Sequence, residues 1–149
     1  MKTTKLIGMV TVAVLVTSAV WAAPEDPVII PDAALKSVVQ EALGITDGRD
    51  PTEAEMATLT QLVGDNRGIA DLTGIEYATN LTWLQVRNIS VTAKISDLGP
   101  LSGLTNLTVL LLVSNQISDL SPLSGLTNLS RLDLRSNQIT DLSDCSAII

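Results

Sequence analysis

Hydrophobic positions along this chain follow two successive periods. In the stretch ALKSVVQEAL, Leu35, Val38, Val39 and Leu43 recur at helical spacing and share one face. Asp32 stands before it as an N-cap, and Gly44 follows it at the C′ position. Asp50-Pro51-Thr52-Glu53 opens a second short helix. From Met56 onward the pattern becomes L-x-x-L-x-L-x-x-N-x-I-x-x-L. Its L-x-L segments, at 84–86, 110–112 and 132–134, alternate like short strands and predict parallel pairing between copies. Pro100 and Pro122 start a return path on the opposite side, as short 3₁₀ turns or irregular coil.

The second period is an internal repeat. Residues 104–125 read LTNLTVLLLVSNQISDLSPLSG, and residues 126–147 read LTNLSRLDLRSNQITDLSDCSA, a spacing of 22. An upstream copy aligns Asn80-Leu81-Thr82 with Asn106-Leu107-Thr108 and carries four extra residues between Val86 and Ile95. A weaker copy places Leu59, Leu62, Ile69, Asp71, Leu72 and Ile75 in register. One copy cannot bury so many aliphatic groups by itself. Stacked copies can, and each buried Leu or Ile then contributes roughly 1.5–3 kcal/mol.

These motifs resemble the leucine-rich repeat, and the form NQISDLSPLSGLTNL is similar to the internalin-type bacterial repeat. The segment IIPDAALKSVVQEALG resembles the helical cap at the N-terminus of such proteins. The resemblance implies an α/β fold: a short solenoid with parallel strands on its concave face, 3₁₀ or irregular coil on its convex face, and a small helical N-terminal cap. It also implies surface adhesion or envelope recognition. Compared with that family, the sequence shows few copies and no anchoring segment is expected in it, which counts against adhesion.

Composition removes several alternatives. There is no His, one Cys and a formal charge of −7. Without His there is no Ser-His-Asp or Cys-His pair, and one Cys makes neither a four-ligand zinc site nor an internal disulfide. An acidic chain with 2% aromatics lacks the charge and the rings that nucleic-acid binding uses. No cofactor or metal is expected. The N-terminus carries Lys2 and Lys5, then an uncharged stretch from Leu6, then Val20-Trp21-Ala22. That order predicts a signal peptide over 1–22, cleaved after Ala22 so that no membrane contact is expected afterwards; the alternative is an uncleaved membrane anchor over Leu6–Pro24. Secretion, or retention in the periplasm or cell envelope, follows. The remaining chain divides into an extended linker at 23–31, the helical cap at 32–55 and the repeats at 56–149.

The x positions of L-x-L are expected on the concave face, in three rows across the strands. They are Gln61, Trp83, Val109 and Arg131; Val63, Gln85, Leu111 and Asp133; and Asp65, Arg87, Val113 and Arg135. Trp83, Val109, Leu111 and Val113 form the expected apolar patch, flanked by Arg87, Arg131 and Arg135, a composition that protein-binding sites use. Asp71, Asp97, Asp119 and Asp141 are read as caps of the turns that follow them, and Asn115 and Asn137 as internal hydrogen-bonding groups. By spacing, Arg67 replaces that Asn in the first copy, and the second copy loses the position to its insertion. The insertion, Ile89–Lys94, is expected as a rim loop. Asp47, Asp50, Glu53 and Glu55 are read as solvated helix-start charges.

A non-enzymatic exported module binding a protein, or a glycan, through the concave face is the leading reading. Two others stand beside it. One is the N-terminal piece of a longer repeat protein with a structural role. The other is a carboxylate enzyme using Asp65 and Asp133, which the pattern sets three strands, roughly 14 Å, apart. A glycosidase pair needs about 5–9.5 Å. At the C-terminal end, Cys145 replaces Leu123 and Asp144 replaces Pro122 of the preceding copy, and no cap is read after them. The reading frame is then truncated, or this end self-associates, or it frays.

Overall fold

The computed structural model of this chain describes residues 26–141. The expected signal peptide, residues 23–25 of the expected linker, and the end of the last copy with Cys145 lie outside them.

Helix α1 (Ala33–Leu43) forms where the apolar spacing places it, burying Leu35, Val38 and Val39. Asp32 caps it by accepting the N–H groups of Ala34 and Leu35, both at 2.9 Å. Gly44 ends it at φ +70°, a left-handed conformation that glycine adopts without steric cost. Helix α2 (Glu53–Ala57) opens with a capping box: Glu55 N–H donates to Thr52 Oγ1 and Thr52 N–H to Glu55 Oε2. The acids around it are not simply solvated charges, as the sequence alone suggested. Arg49 forks onto Glu55 at 2.7 and 2.5 Å, and Lys36 pairs with Asp50 at 2.6 Å. The Arg49 guanidinium and the Thr52 N–H hold the Glu55 carboxyl at about 2.

Four short strands follow: β1 (Gln61–Val63), β2 (Trp83–Gln85), β3 (Val109–Leu111) and β4 (Arg131–Asp133). They pair in parallel in chain order, as a four-stranded sheet. Leu62, Leu84, Leu110 and Leu132 occupy one register row, the arrangement a stacked solenoid requires. The return paths carry 3₁₀ turns at Ile75–Tyr77, Gly99–Leu101 and Ser121–Leu123, with Pro100 and Pro122 in the first positions of the last two. The predicted α/β leucine-rich solenoid is therefore the fold observed. Its core is a continuous aliphatic column from Val28 to Leu129, and among the described residues no aromatic ring enters it.

Polar ladders hold the rungs together where the apolar column cannot. Asn115 donates from Nδ2 to Val86 O (3.0 Å) and Leu112 O (3.1 Å), and its Oδ1 accepts Ile95 N–H (3.0 Å). Asn137 repeats this one rung on, with Leu112 O, Leu134 O and Ile117 N–H. The ladder is not lost in the second copy, as the spacing implied. Asn88, one residue earlier than the spacing requires, turns inward and donates to Ile69 O (2.8 Å) and Asn115 Oδ1 (2.9 Å). Arg67 does leave the ladder in the first copy and reaches Glu41 of α1 at 3.1 Å. A second amide ladder runs along another edge: Asn80, Asn106 and Asn128 donate to Ala57 O, Thr79 O and Thr105 O. Each of these three asparagines opens an N-x-[ST] triplet, which is here the repeat's own structural text and not a sign of glycosylation.

The expected linker is extended but docked. Val28 and Ile30 are buried, and Val28 N–H donates to Pro51 O at 2.7 Å. Gly74, at φ +100°, permits this approach, because a Cβ there would lie 2.8 Å from Ile30 Cγ1.

Asp32 joins the cap to the repeats. Its Oδ2 accepts the N–H groups of Ala70 (2.8 Å) and Asp71 (3.1 Å) while Oδ1 caps α1. Burial alone would raise this carboxyl, but the N–H donors of Ala70, Leu35, Asp71 and Ala34 outweigh it and hold it below the usual carboxylate range. Asp32→Ala is expected to destabilise the chain by about 1–3 kcal/mol, combining a lost N-cap with a lost interlock. The folded carboxyl is the more acidic one, so its contribution is complete above the unfolded value of about 4 and disappears as pH falls below it. Urea unfolding of wild type and variant at pH 7 and pH 3 checks this. A difference that fails to narrow at low pH would mean the charge is not what Asp32 contributes.

Candidate functional site

The solvent side of the sheet is the face that the strands leave open. Each strand alternates, so Leu62, Leu84 and Leu110 point to the core and their neighbours point away. Backbone pairing places Gln61, Trp83, Val109 and Arg131 in one cross-strand row, and Val63, Gln85, Leu111 and Asp133 in the next. The third row follows from hydrogen bonds beyond the strands: Asn66 N–H to Arg87 O, Asn88 N–H to Val113 O and Ser114 N–H to Arg135 O. All three expected rows are present.

Exposure divides the residues more finely than alternation does. Trp83, Val109 and Val113 are half-buried, and Val63 is 54% exposed. Leu111 is only 7% exposed, although it lies on the outward side. It occupies the central rung, with Gln85 and Asp133 beside it in register, and it contributes to the floor of the patch more than to its surface.

The charged residues are largely engaged with one another. Asp65 accepts Arg87 Nε (2.8 Å), Arg87 Nη2 (2.5 Å), the Arg87 N–H (2.9 Å) and Gln85 Nε2 (2.6 Å). Burial would raise the Asp65 carboxyl, and the Arg87 and Gln85 donors lower it past its ordinary value. Arg135 binds Asp133 through Nε (2.9 Å) and Nη2 (2.7 Å), and that contact depresses the Asp133 carboxyl. Among the described residues Arg131 is exposed and hydrogen-bonds no carboxylate. Asp65 and Asp133 are therefore held ionised by arginines, an arrangement suited to shaping a surface. The sequence pattern did not reveal the Asp65–Gln85–Arg87 clamp, whose members come from two neighbouring rungs and meet only through the register.

The insertion forms a pinned rim loop at the end of β2. Ser90 N–H donates to Asn66 Oδ1 at 3.0 Å on the first rung, and Lys94 Nζ donates to the carbonyls of Asn88 and Ser114. Ile89 at its start is 61% exposed. On the far side, Asp71, Asp97 and Asp119 accept the N–H two residues on, at 2.8, 2.7 and 2.9 Å, so each caps its turn as expected. The Ser121 N–H lowers the Asp119 carboxyl. No group of three or more His, Cys, Asp or Glu is placed to hold a metal among the described residues.

Comparison with known proteins agrees with this geometry. Residues 105–145 match the leucine-rich repeat family in its two-copy form. An internalin (InlF) of Listeria monocytogenes has 35% sequence identity and a TM-score of 0.76, over 85% of this chain and 37% of that one. The functional domain of InlJ from Listeria monocytogenes has 36% identity and a TM-score of 0.64, over 76% of this chain and 24% of that one. That domain includes a cysteine ladder, whereas this chain has one Cys. The CBM51-2 and INT domains of Clostridium perfringens ZmpB, in complex with GlcNAc, have 34% identity and a TM-score of 0.53 over 63% of this chain and 19% of that one. The chain thus spans well under half the length of each of these structures. No curated protein matches it.

Proposed function

We propose that this internalin-like leucine-rich repeat chain is an exported, non-enzymatic module that binds a protein through the open face of its sheet. The observation that carries the reading is the row of Trp83, Val109 and Arg131. These side chains stand outward in register, and the interior of the fold does not use them. Tryptophan and arginine are enriched among the residues that dominate binding energy at protein interfaces, and apolar neighbours such as Val109 exclude water around them. Export rests on the basic and then apolar N-terminal stretch; no described helix is long and apolar enough to cross a membrane. Two considerations disfavour catalysis by Asp65 and Asp133. Each is engaged by an arginine, and the outer strands of this sheet lie roughly 14 Å apart, too far for a glycosidase pair. A protein is favoured over a glycan because, among the described residues, Trp83 is the only ring on this face.

A photo-crosslinking side chain placed at Val109, and separately at the exposed Ser124 on the return path, tests the reading in the envelope of the producing cell. Discrete protein adducts are expected from position 109 alone, falling at least tenfold with Trp83→Ala, the scale of an interface hot spot. Equal adducts from both positions would remove the open face as the site. An unchanged urea midpoint shows that Trp83→Ala leaves the fold intact.

A further inference from the structure

The structure assigns a chemistry to the partner: we infer that the open face receives an extended protein segment carrying a carboxylate, which meets Arg131 while an apolar side chain covers Trp83 and Val109. This rests on the preceding reading that the face binds a protein, and it names what that protein presents. Charge is segregated on this molecule. Among the described residues the open face carries three arginines against two aspartates, whereas the remainder carries four basic residues against twelve acidic ones. A cationic face on an acidic body is unexpected unless something uses it.

Two of the three arginines are already engaged, Arg87 by Asp65 and Arg135 by Asp133. Arg131 also acts on Asp133 through space but forms no ion pair with it, so with three arginines against two aspartates the face keeps one surplus positive charge and the Arg131 guanidinium stays exposed. It shares a row with Trp83 and Val109, with β3 between its strand and β2. At about 4.8 Å per strand, its backbone lies roughly 10 Å from that of Trp83. Same-side residues of an extended segment recur about every 6.6 Å. A segment crossing the strands along this row can therefore set one apolar residue on the Trp83–Val109 surface and a carboxylate two residues on, within reach of the Arg131 guanidinium. The acidic remainder of the molecule repels a polyanion, so the match is to a local carboxylate in an apolar stretch, not to a phosphate polymer.

Selecting a displayed random decapeptide library on the full chain tests this, using wild type, Arg131→Gln and Arg131→Glu. Wild type should enrich peptides with Asp or Glu two residues from an aliphatic or aromatic one. Those peptides should bind Arg131→Gln roughly tenfold more weakly, the loss of one charge-assisted hydrogen bond. Arg131→Glu should instead enrich Lys or Arg at the same position. Peptides that need Trp83 and Val109 but show no charge preference would overturn the carboxylate assignment and leave the open-face reading standing. Peptides indifferent to Trp83, Val109 and Arg131 would overturn both. Failure to enrich any peptide, or Arg131-dependent binding of heparin alone, would overturn the inference of a protein segment.

Discussion

Leu110→Ala is expected to lower the free energy of unfolding by about 3 kcal/mol, within a range of roughly 2–5, and Leu132→Ala by less than half of that. The two substitutions delete the same atoms from the same register row. They differ in what surrounds them. Leu110 is fully buried between Leu84 and Leu132, so its truncation leaves a cavity that rungs on both sides must line. Leu132 is half-buried on the last described strand, and water can replace part of what is lost. In a stacked solenoid each rung contacts only its neighbours, so position along the column sets the cost. Urea unfolding of both variants measures the difference. Equal losses would mean that the rungs do not form one graded column, and the layered account of stability would fail.

How much of this could be read from residues alone follows from which physical effect placed each part. The leucine period placed the strands, their parallel order and the three outward rows, because a one-residue slip would expose every leucine of a rung. Asp32 and Gly44 marked the ends of α1, and Pro100 and Pro122 the 3₁₀ turns, because those residue types solve local backbone problems. What escaped depended on contacts between rungs. Spacing points to position 89, and only the turn geometry shows the Asn88 amide reaching Ile69 O and Asn115. Val28 and Ile30 lie in a proline-rich stretch that reads as linker, but the first rung offers them an apolar surface. Alternation put Leu111 outward, and the centre of the sheet buried it anyway. For the site, the rows were visible in the sequence, while the division of labour among three arginines was not. It depends on which carboxylate each side chain meets.

The largest polar effect should come from Asn115. Asn115→Ala is expected to cost about 3–5 kcal/mol, because each buried group left unpaired costs roughly 1–3 kcal/mol. Two groups lose the contact in the simplest case: Ile95 N–H, which donates to Oδ1, and Val86 O, which accepts from Nδ2. Leu112 O retains Asn137 Nδ2, and Asn88 Nδ2 retains Ile69 O, so their losses are partial. Asn115→Leu separates the hydrogen bonds from the volume. It fills the space of the amide and satisfies none of its partners, so it should be about as costly as alanine; a stable leucine variant would mean that Asn115 acts mainly by packing. Asn137→Ala removes the same contacts on a half-buried rung and should cost distinctly less, since water reaches the freed groups. Amide hydrogen exchange supplies the local readout. In Asn115→Ala the Ile95 amide should lose protection beyond the global loss of stability, whereas the Ile117 amide, which donates to Asn137 Oδ1, should not. If both amides lose protection equally, the ladder is one cooperative strip, and its rungs do not act as separate hydrogen-bonding units.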